Sequence, residues 1–279
     1  MLKFGDTYLK FGDTYFKDWE SKNKPDPYNP LNLPPYTIRL LYKDNVTPRL
    51  EKGTGVQLSS NPNIWDLTYE NSDWSFLFNN IIRDDDYILE VLGANTKGVT
   101  SMVGLLYACG SLSSVPLFDT SNVTNMNDMF IACHRLSSVP LFDTSKVTWM
   151  FETFKWCRSL KTVPLFDTSN VKNMSGMFKQ CSNLTSVPLF NTSTVTTMGE
   201  MFRDCSALTS LPLFDTSNVS SMNSAFSNCY NVQSGALALY QQASTQTNPP
   251  TDHKRTFYGC GSATQTGSAE LAQIRYDWK

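Results

Sequence analysis

The chain has 279 residues, a formal net charge of −2, 41% apolar residues and only 17% charged residues. That length allows a large core in one or two domains. The near-neutral balance lacks the Lys and Arg excess with which nucleic-acid binders engage phosphates. No apolar run approaches the roughly 20 residues that cross a bilayer, so neither a nucleic-acid partner nor membrane insertion is expected.

In chain order, residues 1–17 contain LKFGDTY twice in succession. Gly5-Asp6 and Gly12-Asp13 suit two-residue hairpin turns, and the intervening TYLKF alternates as a strand should, which predicts a small β-meander. This start has no uninterrupted apolar core of the kind a secretory signal needs, so no signal peptide is visible. Residues 18–35 carry five prolines and read as a stiff linker. Self-association through residues 1–35 is one expectation. Residues 36–87 resume strand alternation at YTIRLLYKD and lead into IWDLTYENSDWSFLFNNII, read as an N-terminal capping coil. Asp84, Asp85 and Asp86 read as a solvated turn.

Residues 88–229 are dominated by a 24-residue repeat. Its clearest copies begin at Leu112, Leu136, Leu160, Leu184 and Leu208, as in LSSVPLFDTSNVTNMNDMFIAC. Two apolar patterns alternate in each copy. L-x-x-V-x-L (Leu112, Val115, Leu117) predicts an extended segment against a core, and Val123, Met126, Met129, Phe130 and Cys133 suit a short helix or a strand running into a helical turn. Counting back in steps of 24 places degenerate copies at Ile88, Val91 and Gly93 and at Ile64, Leu67 and Tyr69. Residues 230–279 form the expected C-terminal cap, with a helix in SGALALYQQA and a last fragment, FYGCG, that echoes the repeat's Phe–Cys ending.

The unit VPLFDTSNVTNMNDMF-x-x-C resembles the leucine-rich repeats of BspA-type bacterial surface proteins, and more narrowly the Mycoplasma-type repeat subfamily of unknown function. The resemblance implies an α/β repeat fold: a right-handed leucine-rich-repeat solenoid of 24-residue coils, each a short strand plus a short helix or turn, preceded by a small β segment. For function it implies adhesion or protein recognition at an extracellular or cell-surface location, whereas the doubled LKFGDTY start without a visible leader suggests a virion instead.

Cys109, Cys133, Cys157, Cys181, Cys205 and Cys229 recur once per repeat as a structural ladder. Their spacing matches no zinc site, so small buried hydrophobes and inter-coil disulfides are the two readings. Only His134 and His253 occur, and with no nucleophile motif or phosphate loop neither an enzyme, a metal nor a cofactor is expected. The Asn95, Asp119, Asp143, Asp167, Asn191 and Asp215 column fits backbone capping better than calcium, because Asn replaces Asp in it. Lys155, Lys179 and Arg203 form a candidate basic stripe for an anionic ligand, although Glu152 and Glu200 stand three residues before two of them.

The coil from 136 to 159 departs most from the pattern. Trp149 occupies a position held elsewhere by Asn125, Asn173, Thr197 and Ser221, so it should be exposed. With Phe151, Lys155, Trp156, Arg158 and Arg135 it makes the candidate ligand-binding patch, with a contact between copies of the chain as the alternative, because aromatic and Arg side chains dominate interface energetics. The expected function is non-enzymatic binding or adhesion toward a protein or glycan. The alternative is a structural or appendage component of a phage or prophage particle that assembles through its N-terminal segment.

Overall fold

A computed structural model describes residues 31–43, 54–58, 60–69, 71–74 and 87–279. The doubled LKFGDTY segment, most of the proline-rich stretch, the 84–86 acidic run and Phe78, Ile81 and Ile82 lie outside the described residues.

Four strands form one sheet: β1 (Thr37–Tyr42), β2 (Thr54–Leu58), β3 (Asn61–Thr68) and β4 (Ile88–Asn95), in the order β2-β3-β1-β4. Each adjacent pair is antiparallel. In β1 the period-2 pattern puts Ile38, Leu40 and Tyr42 in the core. Its outward Arg39 faces Asp66 of β3 and makes a two-pronged ion pair at 2.6 Å. The sheet corrects the expectation for the two degenerate copies. Ile64–Leu67 and Ile88–Val91 lie in strands that flank β1, with β1 between them, and do not stack on one another as coils.

From Asp73 onward the chain builds a repeat fold. Single parallel bridges join Asp73 to Ser101 and then run through Asn125, Trp149, Asn173, Thr197 and Ser221 to Asp252. The internal steps are 24 residues. The first step is 28 and the last is 31, because both ends accommodate other structure. At strand spacing this column is about 35 Å long.

No helix forms in the repeats: of the two expected forms, a short helix or a turn, the coils take the turn. The reason lies in the second half of each unit. Met129, Ile131 and Cys133 donate their N–H groups three residues back to Met126, Asp128 and Phe130, whereas Asp128, Phe130 and Ala132 donate to Phe151, Thr153 and Lys155 of the next coil. Alternate amides therefore leave the coil, whereas a helix would keep them all. Two left-handed residues per coil make this possible: Asp128, Glu152, Gly176, Glu200 and Ser224 in one column, and Ala132, Trp156, Gln180, Asp204 and Asn228 in the other. Each such non-glycine residue costs about 1–2 kcal/mol against its right-handed alternative, which the inter-coil bonds offset.

The core is a set of ladders. Phe130, Phe154, Phe178, Phe202, Phe226 and Phe257 stack with ring centroids 5.4–5.6 Å apart. A second column, Phe118, Phe142, Phe166 and Phe190, stacks at 5.8–6.5 Å and zips onto the first. The cysteines of the ladder are buried and unbridged. The thiols of Cys157, Cys181, Cys205 and Cys229 each donate to the carbonyl of the Phe in the preceding coil at 3.0–3.1 Å. Burial pushes their pKa far above the usual thiol range, so they act as neutral donors inside the core. The spacing reading left disulfides open, and the geometry selects the buried-hydrophobe role.

Past Cys229, helix α1 (Ala236–Thr245) packs Leu239 and Ala243 inward, and α2 (Gln265–Gln273) starts on the Thr264 side chain, which accepts from Gly267 N–H. Tyr276–Trp278 forms a closing turn. Trp278 lies over Phe257 at 6.3 Å and over His253 at 4.3 Å, sealing the end of the phenylalanine ladder.

Candidate functional site

The polar surface of the stack is largely engaged in its own construction. Asp119, Asp143 and Asp167, and Asn191 likewise, each accept the N–H and hydroxyl of the Ser two residues on. The same side-chain and backbone bonds hold Asp143, Asp167 and Asp215 below the ordinary carboxylate value. The column therefore closes turns, as its Asp/Asn interchange predicts. Among the described residues no group of three or more His, Cys, Asp or Glu is placed to hold a metal.

The neighbouring threonines carry a role the sequence reading missed. Thr120, Thr144, Thr168 and Thr192 are buried and donate to the carbonyls of Asp143, Asp167, Asn191 and Asp215 in the next coil at 2.7–2.8 Å. A conserved D-T-S string within the chain is thus two devices side by side: an Asp–Ser turn and a Thr rivet between coils. The invariance of Thr in every copy was the available signal.

Each cation of the candidate basic stripe has an acidic partner. Lys155 pairs with Glu152 at 2.7 Å, Lys179 reaches across to Glu200 at 2.7 Å, and Arg203 pairs with Glu200 and approaches Asp204. Burial raises the pKa of Glu200, but its bonds to Lys179 and Arg203 outweigh that and leave it below the usual value. The pairs form part of an inter-coil network and leave little net positive field for an anion. At the head of the same column, Asp128 has no such cation of its own. Burial, and then the charge of Glu152, push it up to about 6, against the smaller opposing pull of Lys155.

The candidate patch divides in two. Trp149 stands on the bridge column between Asn125 and Asn173, 44% exposed, with Thr124, Lys172 and Thr196 exposed in the column beside it. Phe151 is two residues on, half-buried, its N–H bonded to the Asn127 side chain. The second group lies at the coil's far turn. There Trp156 takes a left-handed conformation, the Lys155 ammonium sits 4.7 Å over its ring, and the His134 ring bonds the Trp156 carbonyl at 3.0 Å. Arg135 and Arg158 are exposed nearby in sequence. Among the described residues no hydrogen bond, ion pair or ring contact joins Trp149 to the Trp156 group, so the six residues fall into two groups, and Arg135 belongs to the preceding coil.

A family model described as "Mycoplasma protein of unknown function, DUF285" matches residues 75–183 and 150–268, which together cover well over half of the chain. Among solved structures, a leucine-rich repeat protein from Eubacterium ventriosum is similar over 64% of this chain, at 18% identity and a TM-score of 0.37. The match spans 59% of that protein's own length. No curated protein matches. Among the described residues no helix is long and apolar enough to cross a membrane. The repeat read from VPLFDTSNV and the family match across the stack lead to one conclusion: the chain belongs to the Mycoplasma-type repeat family whose function is unknown.

Proposed function

We propose that the chain is a non-enzymatic binding module: a right-handed leucine-rich-repeat solenoid at an extracellular or surface location, with the Trp149 surface as its recognition site for a protein or glycan. The observation that carries this reading is the exposure of Trp149. An indole 44% exposed stands in a column that elsewhere holds Asn125, Asn173, Thr197 and Ser221. A large amphipathic ring costs little entropy to fix on binding, and its flat face suits a sugar ring or an interface anchor. The flanking Lys172 is a donor beside it, and the hydroxyls of Thr124 and Thr196, which donate to the carbonyls of Thr100 and Lys172, keep lone pairs that can accept.

The test is binding of the labelled full chain to a glycan array and to a panel of immobilised extracellular proteins, repeated with Trp149→Asn. The reading predicts a bound species whose affinity falls at least tenfold in the variant, as for an interface hot spot, with the melting midpoint unchanged. Binding of equal strength by the variant would sink the assignment to Trp149. An absence of binding across both panels would sink the recognition reading itself.

A further inference from the structure

Among the described residues, the most extensive apolar feature outside the core is a column of leucines. Leu141, Leu165, Leu189 and Leu213 are 60%, 60%, 59% and 53% exposed, and Leu117 ends the column half-buried. The backbone causes this. Phe166, Phe190 and Phe214 donate their N–H groups to the carbonyls of Pro164, Pro188 and Pro212, closing three-residue turns with a leucine at each apex. The turn drives Phe into the core and Leu outward. The column exposes roughly 400 Å² of apolar surface, the size at which patches on soluble proteins mark contacts.

The two flanks of the column differ. On the side where the chain leaves the leucine stand exposed Asp143, Asp167 and Asp215; on the side where it enters stand exposed Ser137, Lys161, Thr185 and Thr209, with no acid. The serine hydroxyls and amides that bind those aspartates favour their charged form, so they remain ionised at neutral pH. A two-fold axis perpendicular to the column would set two leucine rows antiparallel and bring the aspartate flank of one chain against that of the other. An axis along the column sets the rows parallel and in register. Each aspartate flank then faces the Ser/Lys/Thr flank, with Lys161 opposite the partner's aspartates.

We propose that two copies of this chain associate side by side through the Leu141–Leu213 column, parallel and in register. Each leucine meets its own counterpart, which is the self-complementarity a two-fold interface requires. The apolar area is below the roughly 800 Å² per partner of a standard interface, which places the contact among weak, transient ones.

Light scattering of the full chain from about 1 to about 200 µM should show the mass rising from 31.4 kDa toward twice that value. Leu165→Asp combined with Leu189→Asp should hold it at the single-chain mass, with circular dichroism and melting unchanged because both positions are exposed. Leu165→Ser with Leu189→Ser should weaken association without adding charge. A wild-type mass that stays at one chain overturns the proposal, as does a dimer that survives the Asp pair. Orientation is read by cross-linking, since the native cysteines are buried. Oxidised Leu141→Cys and Leu213→Cys should each give a covalent dimer alone. Covalent dimer formed only when the two variants are mixed would establish the antiparallel arrangement and overturn the parallel one.

Discussion

The two ends of the stack solve the same problem in opposite ways. At the C-terminal end the ladder is continued: Phe257 stacks on Phe226, Cys260 is buried, and Arg255 and Gly259 take up the two left-handed positions after a step of 31 residues. Only then do α1, α2 and Trp278 close the core. At the N-terminal end the described residues differ. A short segment, Ser72–Trp74, bonds Thr100 and Ser101, with Trp74 fully buried, and the antiparallel sheet joins the same core through Ile38, Leu40 and Val91. A repeat can extend itself for as long as its amides and left-handed turns are kept, but it ends where another element meets its last rung.

The largest effect expected from this contrast lies in the middle. Phe178 is fully buried and stacks on Phe154 and Phe202 at 5.6 and 5.4 Å. Phe178→Ala should lower stability by about 3–5 kcal/mol, read from the denaturant midpoint, and should loosen hydrogen exchange on both sides. Trp278→Ala removes a similar volume at the end, and its loss of protection should be confined to the segment around Phe257 and α1. Equal, global loosening in both variants would break the comparison.

Next is the rivet. Thr168→Val leaves the Asn191 carbonyl without its buried donor and should cost about 1–3 kcal/mol by thermal or chemical melting. A smaller effect of opposite sign is expected at the turns. Ala132 has φ 60, so Ala132→Gly should relieve strain and, after the added chain entropy, raise stability by about 0.5–1 kcal/mol.

The last prediction concerns pH. The Asp128 carboxyl titrates near 6 in the folded chain, above its ordinary value of 3.8. A raised carboxyl favours the folded state most when protonated. That contribution is complete below about pH 4 and is lost as pH rises through about 6. Asp128→Asn should therefore stabilise the protein at pH 7, and the gain should vanish by pH 4. A gain independent of pH would mean that relief of the charge on Asp128 is not its source.

Much of the stack is readable from residues alone, because buried Leu, Phe, Val, Met and Cys positions recur every 24 residues and nothing but stacking satisfies that period. The exposed leucines were not readable. L-x-x-V-x-L suggests three inward side chains, but Leu165 and Phe166 are adjacent, and in a three-residue turn only one of them can face the core; the larger ring takes it. The choice between short helix and turn was equally hidden. The left-handed columns hold Glu, Ala, Trp, Gln and Ser beside Asp128, Asp204, Asn228, Gly104 and Gly176, so the turn signal of the Asp, Asn and Gly positions was diluted. The N-terminal cap escaped the 24-residue count because its rung lies at Asp73, four residues before the counted position. For the candidate site, the exposure of Trp149 followed from its column-mates, whereas the pairing of Lys179 with Glu200 depends on inter-coil geometry that sequence spacing does not contain.

Alternate amides in each coil bond the next one. Hydrogen exchange of the full chain, resolved by residue, tests this directly. Phe130, Phe154, Phe178 and Phe202 donate to the following coil, and their amides should share one high level of protection that falls only toward the two ends. If these amides exchange as fast as exposed turns while β1–β4 stay protected, the repeats do not form a continuous hydrogen-bonded stack and the account fails.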